Sequence, residues 1–193
     1  TYMLVIGNGE SRKHIDVNSV TGPKIGCNAI CRDYFVDHLI CVDRRMVDEA
    51  HTNYNHNYDK IYTRNDWMSQ RKHIKNLVEV PEIPYELQVR ADEPFQWGSG
   101  PYAILLASTL SNNIHLIGFD LYGTGSTVNN VYKDTLHYDA GDKNAVDPKY
   151  WKHQIGKVIE SNPTKHFTIY QEQWKLPKQW NFANVSVDSL SNL

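Results

Sequence analysis

Short apolar runs separated by polar, glycine-containing corners recur along the chain, and their lengths decide which elements they predict. Tyr2 to Ile6, Lys24 to Asn28, His38 to Val42, Lys60 to Thr63, Asn76 to Val80, Ile114 to Gly118 and His166 to Tyr170 are runs of four or five residues, the length of buried strands. Helical segments are expected between them: the segment after Asn28 through about Phe35, Met46 to Thr52, and a basic one from Trp67 to Lys75. Trp151 to Glu160 has amphipathic spacing, with Trp151, Ile155, Val158 and Ile159 near one face and Pro148 just before its start. A further helix is apolar almost all round: Ser99 or Gly100 supplies its cap, Pro101 its first turn, and Tyr102 to Ala107 its buried body. Strands alternating with helices predict an α/β fold, a Rossmann-like three-layer sandwich with a mostly parallel sheet in a single domain. That domain is expected over residues 1–173, with 174–193 as a tail that packs on it or is partly disordered.

The polar corners become informative once the sheet is taken as parallel. Gly7-Asn8-Gly9-Glu10-Ser11, Cys27-Asn28, Ser99-Gly100 and Asp120-Leu121-Tyr122 then fall at one edge, where open α/β sheets bind ligands. Any one of these corners is an ordinary strand-ending turn. Together they predict a crevice for an anionic ligand, because the first amides of a buried helix lack internal partners and carry the positive end of its dipole. Glycines at 7 and 9 allow close backbone approach, and Asn8 and Ser11 offer side-chain hydrogen bonds there. Pro81, Pro84 and Pro94 break the chain ahead of that helix into a lid, an acceptor-binding flap, or an irregular connector with an edge strand at Tyr85 to Val89.

Composition narrows the partners. A formal net charge of −2 over 193 residues gives no bulk electrostatic reason to expect a nucleic acid. No apolar run approaches the length of a membrane span. Cys27, Cys31 and Cys41 sit in apolar segments and read as reduced core residues of a cytoplasmic protein. The sequon at Asn184-Val185-Ser186 is on that reading fortuitous. No zinc spacing appears, and no helix or strand puts His51, His56 and Asp59 on one face, so no metal is expected. Twelve tyrosines and five tryptophans fit packing first and a sugar or base site second, and large apolar residues in the tail admit a homo-oligomer.

The order Gly-Asn-Gly-x-Ser after the first strand, Cys-Asn after the second, Ser-Gly opening a buried helix and Gly-x-Asp-x-Tyr after the next strand resembles the bacterial sialyltransferases of glycosyltransferase family 42. It also resembles the group that includes the MptE-like hydroxymethylpterin pyrophosphokinases. The first resemblance implies a nucleotide-sugar donor, with a CMP-sugar favoured, and a glycan or other hydroxyl acceptor. Transfer would be inverting and metal-independent. It implies nucleotide contacts at Gly7, Asn8, Gly9, Ser11, Asn28, Ser99, Gly100 and Asp120, with Tyr122 on the donor phosphate and His137 as the base that takes the acceptor proton. The next tyrosine after Tyr122 is Tyr132, farther along than the family pattern has it, and His153 falls inside a helix. The second resemblance implies magnesium, for which Asp43, Asp120 and Asp139 are the candidate ligands. A non-catalytic nucleotide or sugar binder is the third reading.

Overall fold

The computed structural model describes residues 2–85, 97–120, 130–136, 149–172 and 175–193. Among these residues eight strands form one sheet: β1 (Met3–Ile6), β2 (Lys24–Cys27), β3 (Val36–Ile40), β4 (Tyr58–Thr63), β5 (Leu77–Glu79), β6 (Asn113–Ile117), β7 (His166–Tyr170) and β8 (Val185–Asp188). Their order is β5-β4-β3-β2-β1-β6-β7-β8, and every pairing is parallel. The chain therefore builds outward from β1 in one direction, then jumps back to β1 and builds in the other. Such a reversal leaves a crevice at the carboxyl ends of β1 and β6.

Helices α1 (Arg44–Asn53), α2 (Asn65–Met68), α3 (Ser99–Leu110) and α4 (Lys149–Glu160) complete the layers. One core gathers α3 and α4 with Met3, Val5, Ile114, Leu116, Phe167 and Ile169. The other lies across the sheet, where Leu4, Ile6 and Ile117 meet Met46, Val47 and Ala50 of α1. Alternation along β1 sends neighbouring side chains into opposite cores, as a sheet covered on both faces requires. Among the described residues no helix is long and apolar enough to cross a membrane.

Several elements differ from their sequence-based expectations. The helix expected after Asn28 through about Phe35 is instead a five-residue 3-10 helix that starts at Asn28 itself, Asn28–Arg32, because the chain must reach Val36 in time for β3 to enter the core. β3 begins two residues earlier than its apolar run, since Asp37 separates Val36 from that run without interrupting the ladder. The basic helix at Trp67 to Lys75 shrinks to α2 and a turn: Trp67 Nε1 donates to Val42 O at 2.7 Å, and Arg71 pairs with Asp48. The segment from 175 onward contributes β8, whose four-residue alternation is too short to stand out in the sequence. Asn184 donates its side-chain amide to the carbonyls of Ile159, Asn162 and Lys165, so this sequon asparagine serves as a staple between α4 and β8. Glu86 to Val89 of the suggested edge strand lie outside the described residues.

Candidate functional site

At the carboxyl ends of β1, β2 and β6 lies a cavity of about 150 Å³, closed on its other side by the start of α3 and the first turns of α4. Gly7, Asn8, Gly9, Asn28, Ser99, Gly100 and Asp120 all line it. Corners separated by more than a hundred residues in sequence, such as Gly7 and Asp120, thus share one concave surface. Ser11 does not line it; its backbone N–H and hydroxyl both donate to the Asp120 carboxylate. Tyr122 and His137 lie outside the described residues, as does Asp139.

Packing requires the glycines after β1. Gly7 N donates to Ile117 O and Gly9 N to Gly118 O, both at 2.8 Å, so the corner continues the β1–β6 pairing past the strand ends. A side chain on Gly7 would come within 2.5 Å of Gly118 O, and one on Gly9 within 2.5 Å of the Asp120 carboxylate. Gly118, at φ +70°, sits in the left-handed region and would meet Gly7 O at 2.3 Å if it carried a Cβ. Only glycine fits this crossing.

Behind the corner stands Arg12, 3 % exposed. Its guanidinium donates to Gly7 O and to Asn8 Oδ1, each at 2.8 Å, and lies over the Tyr132 ring. Asn8 Nδ2 in turn donates to Cys27 O at 2.9 Å, tying the exit of β1 to the exit of β2. Tyr132 donates to Asp33 Oδ2 at 2.9 Å, and burial pushes its phenol well above the usual range. That hydroxyl is committed within the second core and does not line the cavity. Val131 N donates to Asn8 O, and Arg32 donates to Thr135 and to Leu136 O, so residues 130–136 are sewn to both strand exits.

The opposite wall is built differently. Helix α3 is capped by Gly98, one residue before the expected cap, with no side-chain hydrogen bond to its first amides. Ser99 instead accepts from Val42 N at 3.2 Å and donates to Asn28 Oδ1 at 3.1 Å. Asn28 sits at φ +54°, a strained setting that asparagine tolerates better than most residues and one that clusters at ligand sites. Gly100 lets the ring of Phe119 close in, since a Cβ there would lie 3.2 Å from that ring. Trp151 and Ile155, one turn apart on α4, complete the apolar side. Sequence reasoning assigned these two to the helix's packing face; their place in the cavity has no local signal, because it depends on where α4 docks.

Cys27 also lines the cavity, but burial pushes its thiol up to about 12, which makes it an inert wall rather than a nucleophile. Of the carboxylates considered for magnesium, Asp43 caps α1 through Arg45 N and pairs with the Arg45 guanidinium, while Asp120 accepts from Ser11. No group of three potential metal ligands gathers among the described residues.

No protein-family model matches the chain, and no curated protein does. Solved structures do. The monofunctional α-2,3-sialyltransferase Cst-I from Campylobacter jejuni superposes with a TM-score of 0.58 at 13 % identity, over 94 % of this chain and 82 % of its own. An asparagine-to-alanine variant of the Campylobacter sialyltransferase Cst-II in complex with CMP gives a TM-score of 0.55 at 14 % identity, over 88 % of this chain and 81 % of its own. A tyrosine-to-phenylalanine variant of Cst-II, also in complex with CMP, gives 0.52 at 13 %, over 87 % and 80 %. At such identities the likeness establishes a shared fold: a single-domain, Rossmann-like α/β architecture.

Proposed function

We propose that this chain is a sialyltransferase-like glycosyltransferase that takes a nucleotide-activated sugar, a CMP-sugar foremost, in the cavity between β1, β2, β6 and α3. One observation carries the reading: polar corners singled out from sequence converge on one cavity at the reversal point of the sheet. The shared fold with proteins crystallised with CMP supports the choice of nucleotide.

In this reading the donor phosphate rests against the first amides of α3, with Ser99 and Gly100 nearest, and Asn28 meets the ribose or base. Asn8 contributes one remaining Nδ2 proton and otherwise holds the β2 exit in place. The acceptor hydroxyl attacks the anomeric carbon while His137 takes its proton. The carbon–oxygen bond to the phosphate breaks, its electron pair stays on the phosphate oxygen, and Tyr122 donates to the charge that develops there. Inversion follows from attack opposite the departing nucleotide. No step calls for a metal ion.

A thermal-shift panel of CMP, UDP, GDP and ATP, each with and without magnesium, tests the proposal. A ligand at a hundredfold excess over its Kd adds about 2.7 kcal/mol to folding stability. CMP is expected to raise the melting temperature equally with and without EDTA. A response confined to magnesium–ATP would favour the pyrophosphokinase reading, and silence towards every nucleotide would remove both enzymes.

A further inference from the structure

Trp151 is a large aromatic residue left 43 % exposed on the wall of the cavity, one turn ahead of the buried Ile155. Its ring nitrogen faces inward: Nε1 lies 3.6 Å from the position that a side chain on Gly98 would take. Gly98 is the cap of α3, and no side chain caps that helix. Among the described residues the indole N–H has no hydrogen-bond partner. The other cavity-facing groups are spent differently, with Asp120 held by Ser11 and Ser99 bridging Val42 and Asn28. Tyr132, the next tyrosine after Tyr122, is turned into the opposite core.

An indole N–H is a donor only, and it neither titrates nor transfers its proton in the working range. Set beside the uncapped amides of a helix N-terminus, it complements an oxyanion and nothing cationic. We infer that Trp151 donates its ring N–H to the phosphate of the bound nucleotide, holding an oxygen of the leaving group from the α4 side while the α3 amides hold it from below. The inference rests on the proposed nucleotide site and adds to it a contact residue on α4. It also assigns the residue's chemistry: the ring edge, not the ring face, meets the ligand.

The discriminating experiment titrates CMP and cytidine into the wild-type protein, Trp151→Phe and Trp151→His by calorimetry. Phenylalanine keeps a flat ring without the N–H, whereas histidine keeps a ring donor. Hydrogen bonds to charged groups are worth about 1.5–3 kcal/mol, so Trp151→Phe is expected to weaken CMP roughly 10- to 100-fold. Cytidine, which lacks the phosphate, is expected to bind all three proteins alike, and Trp151→His to recover part of the CMP affinity. Equal weakening of CMP and cytidine in Trp151→Phe would mean that the ring face stacks on the base and would overturn the inference. Unchanged CMP affinity would overturn it as well. A wild-type protein that binds CMP nowhere would instead sink the nucleotide site itself, and the two failures are told apart by that first titration. Melting curves of both variants check folding, which exposure of the side chain leaves largely unaffected.

Discussion

The two walls of the cavity are assembled from similar glycine-bearing corners, yet they differ in where their hydrogen bonds go. On the β1–β6 side, nearly every polar group of the corner is used inside the protein: Gly7 and Gly9 amides on strand β6 and its exit, Asn8 between Arg12 and Cys27, Asp120 on Ser11. On the α3–α4 side, the helix cap has no side-chain partner and the Trp151 N–H has none among the described residues. The first wall is a scaffold that fixes the crevice, and the second holds the donors that a ligand would meet. Glycine thus serves two ends here. At 7, 9 and 118 it lets two strand exits cross, and at 100 it lets the Phe119 ring pack against the start of a helix.

Changes in the scaffold wall are expected to cost stability, and changes in the open wall to cost binding. The largest effect is expected from Gly118→Ala, which places a methyl group against Gly7 O in a left-handed backbone position. A loss of ~3 kcal/mol or more in urea denaturation is predicted, and a variant of unchanged stability would show that the crossing relaxes freely. Next comes Arg12→Met, which leaves Gly7 O and Asn8 Oδ1 without their buried donor. A loss of about 2 kcal/mol is expected in the same measurement, since each orphaned buried group costs on the order of 1–3 kcal/mol. Ser99→Leu sharpens the contrast from the other wall. It removes one acceptor from Val42 N, at about 1 kcal/mol in stability, while filling the seat proposed for the phosphate, so CMP affinity is expected to fall at least about tenfold by calorimetry.

The smallest expected effect is one of pH. Burial lowers the pKa of His115, which bonds Tyr170 through Nδ1 and stacks on Tyr2, and burial also lowers that of His38. In the window below the ordinary histidine value of about 6.5 and above the lowered folded value, the unfolded chain binds more protons than the folded one. Stability therefore rises with pH through that window and is lost on acidification. His115→Gln is expected to flatten the melting temperature between about pH 7 and about pH 5.5 relative to wild type, and an identical slope would exclude this histidine as a contributor.

The fold was legible because its strands are short apolar runs bounded by polar or turn-forming residues, and all but β8 carry that mark. β8 escaped because two valines alternating with Ser186 and Asp188 look like any polar tail. The helix after β2 was overread: Ala29, Ile30 and Cys31 suit a helix as well as a tight 3-10 turn, and only the distance to Val36 decides. At the site, the corners could be found because glycine and asparagine are punctuation in any sequence. Arg12 could not, since an arginine at the surface and one sealed beneath a turn read alike; its tie to Tyr132 spans 120 residues. Trp151 was hidden by its own amphipathic helix, where position 151 matches the packing stripe although docking leaves it at the cavity.

The most direct measurement is a crystal structure of the protein grown with CMP in the presence of EDTA. The account predicts the nucleotide in the cavity, its phosphate within hydrogen-bond reach of the Ser99 and Gly100 amides at the start of α3. Well-ordered crystals with that cavity empty, or with CMP bound elsewhere on the surface, would contradict it.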